Sequence, residues 1–97
     1  MGDGVFVGPR VMFATRNHEV GQPDKRAGKT VNQPIMVGSG SWIGANVTIL
    51  GGVTIGPGCV IAAGAVVTRD TERDSVYAGV PATRVKDLTL SIKDHRA

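Results

Sequence analysis

Aliphatic residues return at every sixth position over the middle of the chain. They occupy positions 37, 43, 49, 55, 61 and 67, and the same frame continues backwards to Val7 and Met1. A period of six matches neither the 3.6-residue period of an α-helix nor the two-residue alternation of a flat strand. The sequence is therefore built from six-residue repeats, which form two blocks over residues 1–13 and 37–70.

The fourth position of each repeat indicates where the chain turns. It holds glycine at positions 4, 40, 52, 58 and 64, asparagine at position 46, and Arg10 as the one exception. Glycine and asparagine tolerate positive φ, so a corner is expected there in every repeat. Three repeats then close one triangular coil. Stacked coils pair as parallel strands, with the first-position aliphatics and the small fifth-position residues inside. The pattern thus predicts a parallel β-helix, and an α-helix is excluded by the period and the glycine content.

A polar segment over residues 14–36 separates the two blocks. It reads ATRNHEVGQPDKRAGKTVNQPIM and contains His18. Segments of this length inside a compact domain are generally functional or disordered. We expect an extended loop that leaves the repeat and returns directly into it. His18 on such a loop is either a solvated side chain or a catalytic one.

Four motifs follow one another along the chain. They are NHEVGQPDKRAGKTVNQP, the turn VGSGSWIG at 37–44, the run VTILGGVTIGPGCVIAAGAVVTRD, and the closing AGVPATRVK. Together they resemble the hexapeptide-repeat family, in particular its galactoside, maltose, nodulation-type and xenobiotic O-acetyltransferases, from Met1 to about Lys86. The resemblance implies an all-β fold, a left-handed parallel β-helix, assembled as a homotrimer. It also implies transfer of an acetyl group from acetyl-CoA to a hydroxyl of a sugar or related small molecule.

The resemblance assigns roles to particular residues. His18 matches the general base, and the backbone N–H of Ala45 matches the donor that stabilises the oxyanion. Trp42 matches the acyl or acceptor cleft, or else is a rim residue that packs on a neighbouring subunit. The positions that match contacts of acetyl-CoA are Ala45, Ala63, Thr68, Arg69, Thr83 and Lys86. Basic side chains such as Arg69, Arg84 and Lys86 suit phosphate groups, or are ordinary surface charges.

Composition narrows the partners. The formal net charge is +3, and the four aromatic residues form no basic-aromatic platform, so the sequence indicates no nucleic-acid partner. No apolar run is long enough to span a membrane. The single cysteine, Cys59, falls in the small inward column and is expected to be a core residue in a cytoplasmic protein. The two histidines, His18 and His95, do not supply the three-histidine set of a β-helical zinc enzyme, so we expect no metal.

The sequence predicts one domain over residues 1–97: repeats at 1–13 and 37–70, an active-site loop at 14–36 and a C-terminal element at 71–97. Members of the resembled family carry further coils ahead of the position matching Met1, and these are expected to be missing here. An alternative function is therefore a shortened, non-catalytic β-helical trimer or scaffold module. Leu88, Leu90 and Ile92 alternate and predict a short strand near the C-terminus.

Overall fold

The computed structural model describes residues 1–89, apart from the side chains of residues 17–19. The described part of the chain consists of short strands joined by tight turns, and no helix in it is long and apolar enough to cross a membrane. The strands are β1 (Phe6–Val7), β2 (Met12–Ala14), β3 (Arg16–Val20), β4 (Ala27–Asn32), β5 (Met36–Val37), β6 (Trp42–Ile43), β7 (Thr48–Leu50), β8 (Thr54–Ile55), β9 (Val60–Ile61), β10 (Val66–Val67), β11 (Ser75–Gly79) and β12 (Ala82–Asp87).

The strands stack into the three faces of a triangular prism. Face one is the parallel row β1, β6, β9 and β11, to which β12 adds antiparallel. Face two is the parallel row β2, β7 and β10. Face three is β5 and β8, extended by a bridge from Ile55 to Thr71. Ile43 pairs with Ile61 and Ile49 with Val67, which gives the predicted coil of 18 residues.

The repeat positions predicted to point inward form the core. Each of the following is at most 4% exposed: Val37, Ile43, Val47, Ile49, Val53, Ile55, Cys59, Ile61, Ala65 and Val67. Met1 is an exception to the prediction, because it is 78% exposed at the open end of the prism. Val5, Val7, Val11 and Phe13 are only partly buried, since no coil of the described chain covers that end. The predicted placing of Cys59 in the core is confirmed.

The fourth repeat positions from Gly4 to Gly64 are the corners, as predicted. All seven adopt left-handed φ angles between 56° and 82°, and they are Gly4, Arg10, Gly40, Asn46, Gly52, Gly58 and Gly64. Arg10, the exception in the sequence, has φ 56° and so takes the same conformation in spite of its side chain. Its Nε donates to Oδ1 of Asn46 at 2.8 Å, one coil below, which helps to offset the strain of that backbone position.

The polar segment is not the extended loop that the sequence predicted. Most of it forms an antiparallel hairpin of β3 and β4, with His18 paired to Thr30 and a turn closed by the Gly21 N–H on the Arg26 carbonyl at 2.7 Å. Its ends also belong to the coil, because Ala14 is the last residue of β2 and Met36 the first of β5. Antiparallel pairing gives hydrogen-bond partners to backbone groups that would otherwise bond to water. Polar residues can form such a strand although their strand propensity is modest.

The chain after Asp70 departs from the repeat. β11 lies on β9, and the chain then reverses through Val80–Pro81 into β12. The predicted strand at Leu88 is wrong, because β12 ends at Asp87 and the Leu88 N–H donates to the Asp74 carbonyl at 2.8 Å. Leu90 and Ile92 lie outside the described residues. Hydrophobic alternation alone did not reveal that the closing motif itself supplies the hairpin.

Candidate functional site

The edge between faces one and two carries two of the predicted donor-binding residues. We call it the Ala45 edge; it consists of Gly44–Asn46 and, one coil further along, Ala62–Gly64. The two levels are joined by the Gly64 N–H, which donates to the Ala45 carbonyl at 2.9 Å. Ala63 is exposed and Ala45 half-buried. Methyl side chains leave the backbone of this edge accessible to an elongated ligand.

The backbone N–H of Ala45 points to no acceptor in the described part of the chain. Gly8 lies one coil above it, and a Cβ added at Gly8 would stand 2.9 Å from that nitrogen. In the same way, a Cβ at Gly44 would stand 2.8 Å from the nitrogen of Ala63. Glycine at these two positions lets successive coils approach closely at this edge, and the same close approach recurs at Gly38 and Gly56. Residue-by-residue motif matching missed Gly8, although the second-position glycines of the repeat were a visible signal.

Trp42 lies on the outer side of face one. Its side chain is 55% exposed and stands in a row with Phe6 above and Val60 below, which continues to Val76 and Lys86. Phe6 is itself 65% exposed, so this row forms an apolar surface with a cation at its end. No cavity is enclosed by the residues that the structure describes. The role of Trp42 in a cleft therefore remains a prediction that requires a second surface opposite it.

Thr83 and Lys86 are brought to face one by β12. Thr83 pairs with Ala78 and Lys86 with Val76, and both side chains are exposed. The preceding strand is tied to the Ala45 edge, because the Ala62 N–H donates to the Tyr77 carbonyl at 2.8 Å. The closing motif thus places Thr83 and Lys86 on the same face as Trp42, one strand beyond Ala62.

Thr68 and Arg69 lie elsewhere. They follow β10 at the edge between faces two and three, which we call the Arg69 edge; it consists of Gly51–Gly52 and, one coil further along, Thr68–Asp70. The hairpin that bears His18 leaves the prism at this same edge. Its base is fixed there because the Gln33 N–H donates to the Thr15 carbonyl at 2.7 Å and the Gly52 N–H to the Gln33 carbonyl at 3.2 Å.

The structure therefore divides the predicted site between two edges of one prism. Ala45, Ala63 and Thr83 belong to the Ala45 edge and face one, whereas Thr68, Arg69 and the base of the His18 hairpin belong to the Arg69 edge. The backbone of His18 lies in β3, and its side chain lies outside the described part of the molecule. The predicted base and oxyanion donor thus start from different edges of the chain.

Of the basic side chains near these edges, some have a carboxylate partner and others have none. Arg84 donates from Nη1 to Oε2 of Glu72 at 2.8 Å, so its guanidinium already has a carboxylate partner. Arg69 and Lys86 are exposed and form no ion pair with the described residues. Of the three basic side chains considered for phosphate contact, these two keep their full donor capacity. Among the side chains that the structure describes, which leave out those of residues 17–19, no three histidine, cysteine or acidic groups cluster as a metal site.

Part of the repeat region matches a known protein family. A family profile, "Bacterial transferase hexapeptide (six repeats)", matches residues 34–69. The galactoside O-acetyltransferase of Escherichia coli K12 is 38% identical over 88 residues, which is 91% of this chain and 43% of that protein. This chain therefore spans less than half the length of that relative.

Two solved structures are similar in fold and sequence. A galactoside acetyltransferase in complex with coenzyme A superposes with a TM-score of 0.84 at 36% identity, over 94% of this chain and 46% of that one. A hexapeptide-repeat acetyltransferase from Vibrio cholerae complexed with acetyl-coenzyme A gives 0.82 at 38% identity, over 89% and 47%. Coils of opposite hand do not superpose at this quality, so the predicted left-handed parallel β-helix is confirmed.

Proposed function

Because the chain belongs to the hexapeptide-repeat transferase family, we propose that it acts in acetyl transfer from acetyl-CoA to a hydroxyl group of a sugar or related small molecule. One observation carries this proposal. The chain aligns over 94% of its length with a galactoside acetyltransferase that holds coenzyme A, and its exposed Ala45 edge has the small side chains and the unpaired amide that a thioester substrate needs.

The proposed reaction is a direct transfer. The acceptor hydroxyl oxygen attacks the thioester carbonyl carbon while the imidazole of His18 takes the hydroxyl proton. The carbonyl oxygen becomes an oxyanion, which the Ala45 N–H stabilises as a preorganised backbone donor. The C–S bond then breaks, the ester forms, and the thiolate leaves with the proton returned from His18. No charge is left behind on the protein.

The acyl donor is proposed to lie along the Ala45 edge. Ala45 and Ala63, with methyl side chains at successive levels, allow a narrow pantetheine chain to run against the backbone. Coenzyme A carries phosphate groups, and of the three basic side chains considered for phosphate contact, Arg69 and Lys86 have no carboxylate partner in the described chain. Arginine offers a bidentate fork to phosphate, and lysine a point charge.

We infer that a second copy of the chain completes the site. His18 and Ala45 must meet at one reacting carbonyl, yet they start from different edges of the prism. Packing the Arg69 edge of one copy beside the Ala45 edge of another brings the two groups to one seam. The exposed row of Phe6, Trp42 and Val60 supplies apolar surface for such packing. We propose a closed homotrimer, in which every copy contributes both edges once.

The first test is titration calorimetry with coenzyme A and acetyl-CoA, with light scattering on the same sample. Micromolar binding by a trimer is the expected result and supports a donor site at the seam. Absence of binding by an intact trimer would contradict the enzymatic proposal and favour a β-helical scaffold module. A monomer that binds no coenzyme A would contradict the proposed trimer, because a monomer has no seam between copies.

The second test replaces His18 by Ala. Loss of a general base lowers turnover by about a hundredfold or more. The assay is release of free coenzyme A thiol, with a galactoside as the first acceptor. The matched control is His95→Ala, which removes the chain's other histidine and should keep wild-type turnover. Equal turnover in His18→Ala and the control would remove His18 from the mechanism.

A further inference from the structure

The last coil is two residues shorter than the others, and the shortening falls at the Arg69 edge. Val37 pairs with Ile55, 18 residues on, whereas Ile55 bridges to Thr71, only 16 residues on. Face two is still regular, because Ile49 pairs with Val67 at the full spacing. The missing residues are therefore lost between Val67 and Thr71, in the turn that contains Thr68 and Arg69.

Asp70 stands at the fourth repeat position but does not serve as a left-handed corner. Its φ is not among the positive ones, and neither are those of Thr68 and Arg69, so this turn lacks the left-handed corner that Gly52 provides one coil earlier. The next corner, below Gly58, is Asp74 with φ 52°. The carboxylate of Asp70 binds the neighbouring coil, because its Oδ1 accepts the Thr54 N–H at 2.7 Å. One coil earlier, the equivalent Met36 N–H donates to a backbone carbonyl, that of Val53, at 3.1 Å. A side-chain oxygen thus replaces a missing backbone acceptor.

We propose that Asp70 is a positioning residue for the acyl-donor site, which it serves by bracing the shortened turn so that Thr68 and Arg69 are held where the donor needs them. The inference rests on the proposed function of the chain. Thr68 and Arg69 are exposed, and their side chains form no hydrogen bond or ion pair with the described residues. Their backbone is held through β10 on one side and, on the other, through the Asp70–Thr54 bond and the pairing of Thr71 with face three.

The brace is separable from the fold of the last coil. Thr71 by itself secures the pairing with face three: its N–H donates to the Thr54 carbonyl at 3.0 Å, and its carbonyl and hydroxyl accept the Gly56 N–H at 3.2 and 3.0 Å. Removing the Asp70 carboxylate leaves these bonds in place and frees only the turn. A carboxylate that accepts a backbone N–H makes one of the stronger hydrogen bonds in proteins, which suits it to holding an exposed turn.

The test compares Asp70→Ala, Asp70→Asn and Ser75→Ala in the full chain. Asparagine keeps an acceptor oxygen, whereas alanine has none. Ser75→Ala is the matched control, because it removes another side-chain hydrogen bond of the same coil, from Ser75 Oγ to the Arg73 carbonyl at 3.0 Å, away from Thr68 and Arg69. Two quantities are measured at equal oligomeric state: the exchange rate of the Thr54 amide hydrogen and the Kd for coenzyme A.

In Asp70→Ala, the Thr54 amide should exchange faster, and the Kd for coenzyme A should rise about tenfold or more, since small displacements of binding groups have effects of that order. Asp70→Asn and Ser75→Ala should bind nearly as the wild type does. If Asp70→Ala does not fold, Asp70→Glu replaces it, because it keeps the charge but displaces the carboxylate by one methylene.

Each outcome decides the inference. Coenzyme A binding by Asp70→Ala as tight as that of Ser75→Ala overturns the positioning role while the proposed function stands. Asp70→Asn as weak as Asp70→Ala overturns it as well, because the hydrogen-bond acceptor would then not be the cause. A wild-type oligomer that binds no coenzyme A removes the proposed function, and the inference with it. If the Thr54 amide hydrogen of Asp70→Ala exchanges as slowly as that of the wild type, the Asp70 carboxylate does not hold this turn.

Discussion

Replacing Gly40 by Ala and by Asn tests whether the corners of the coil require a left-handed backbone or merely space. Gly40 has φ 74°, and a Cβ built on it meets no heavy atom within 4 Å. A steric clash therefore cannot contribute to the effect of Gly40→Ala, and the Cβ of Gly40→Asn is equally free of contacts. Gly40 also lies away from both site edges, so binding does not interfere with the measurement.

The expected magnitude follows from two opposing effects. A residue with a Cβ in the left-handed region costs about 1–2 kcal/mol, while the reduced freedom of the unfolded chain returns about 0.4–1 kcal/mol. Gly40→Ala should therefore lower the free energy of unfolding by about 1 kcal/mol, or the Tm by about 4–8 °C for a chain of this size. Gly40→Asn should lose less, because asparagine already serves as a corner at Asn46, with φ 59°.

Gly56 is the matched control and should show the reverse order. It is buried without a positive φ, and a Cβ on it would stand 2.8 Å from both the Arg73 nitrogen and the Thr71 oxygen. Gly56→Ala should cost about 1–3 kcal/mol through overpacking, and Gly56→Asn more than that. The assay is thermal unfolding by circular dichroism at fixed protein concentration, because assembly shifts the Tm. Equal losses for alanine and asparagine at Gly40 would refute the reasoning.

Three further substitutions test the core and the charges. Ser41→Ala should lower the free energy of unfolding in urea by about 1–3 kcal/mol. The buried Ser41 hydroxyl donates to the Gly56 carbonyl at 3.0 Å and accepts the Cys59 N–H at 3.2 Å, and alanine loses both bonds. A urea midpoint equal to that of the wild type would contradict this. Ile61→Ala, at a side chain with no exposed surface, should cost about 2–5 kcal/mol in the same assay, and a loss under that range would mean that the coil collapses onto the gap. Arg84→Ala should change the free energy of unfolding by less than about 1 kcal/mol, since the ion pair of Arg84 with Glu72 is largely exposed. In calorimetry, Arg84→Ala should weaken coenzyme A binding less than Arg69→Ala does. The opposite ranking would mean that Arg84 leaves Glu72 to bind the ligand.

Much of the prism could be predicted from the sequence because its determinants are local. The first and fifth repeat positions predicted the core, and the prediction holds from Val37 to Val67. The fourth position predicted the corners, including Arg10, whose residue type gave no hint of a left-handed backbone. The direction of a side chain and the φ angle of a corner are set within each repeat. Six residues at a time were therefore enough to predict the inward positions and the corners.

The candidate site was predictable only as a set of residue types matched by resemblance. Ala45 and Ala63 were expected to lie together, and they share one edge. Thr68 and Arg69 were grouped with them, but they lie on another edge of the same prism. Counting repeats within 37–70 would have separated them, because Arg69 lies four repeats after Ala45, one more than a full coil; matching by resemblance did not use that count.

The sequence by itself determined the period, the inward columns and the corners, since each depends on the conformational preference and hydrophobicity of neighbouring residues. The tertiary structure alone decided three other features: the hairpin of β3 and β4, the shortened coil at Asp70, and the edge of the second repeat block beside which that hairpin leaves the prism. All three depend on the register between strands far apart along the chain. That register is fixed by backbone hydrogen bonds and by packing that no short stretch of sequence contains.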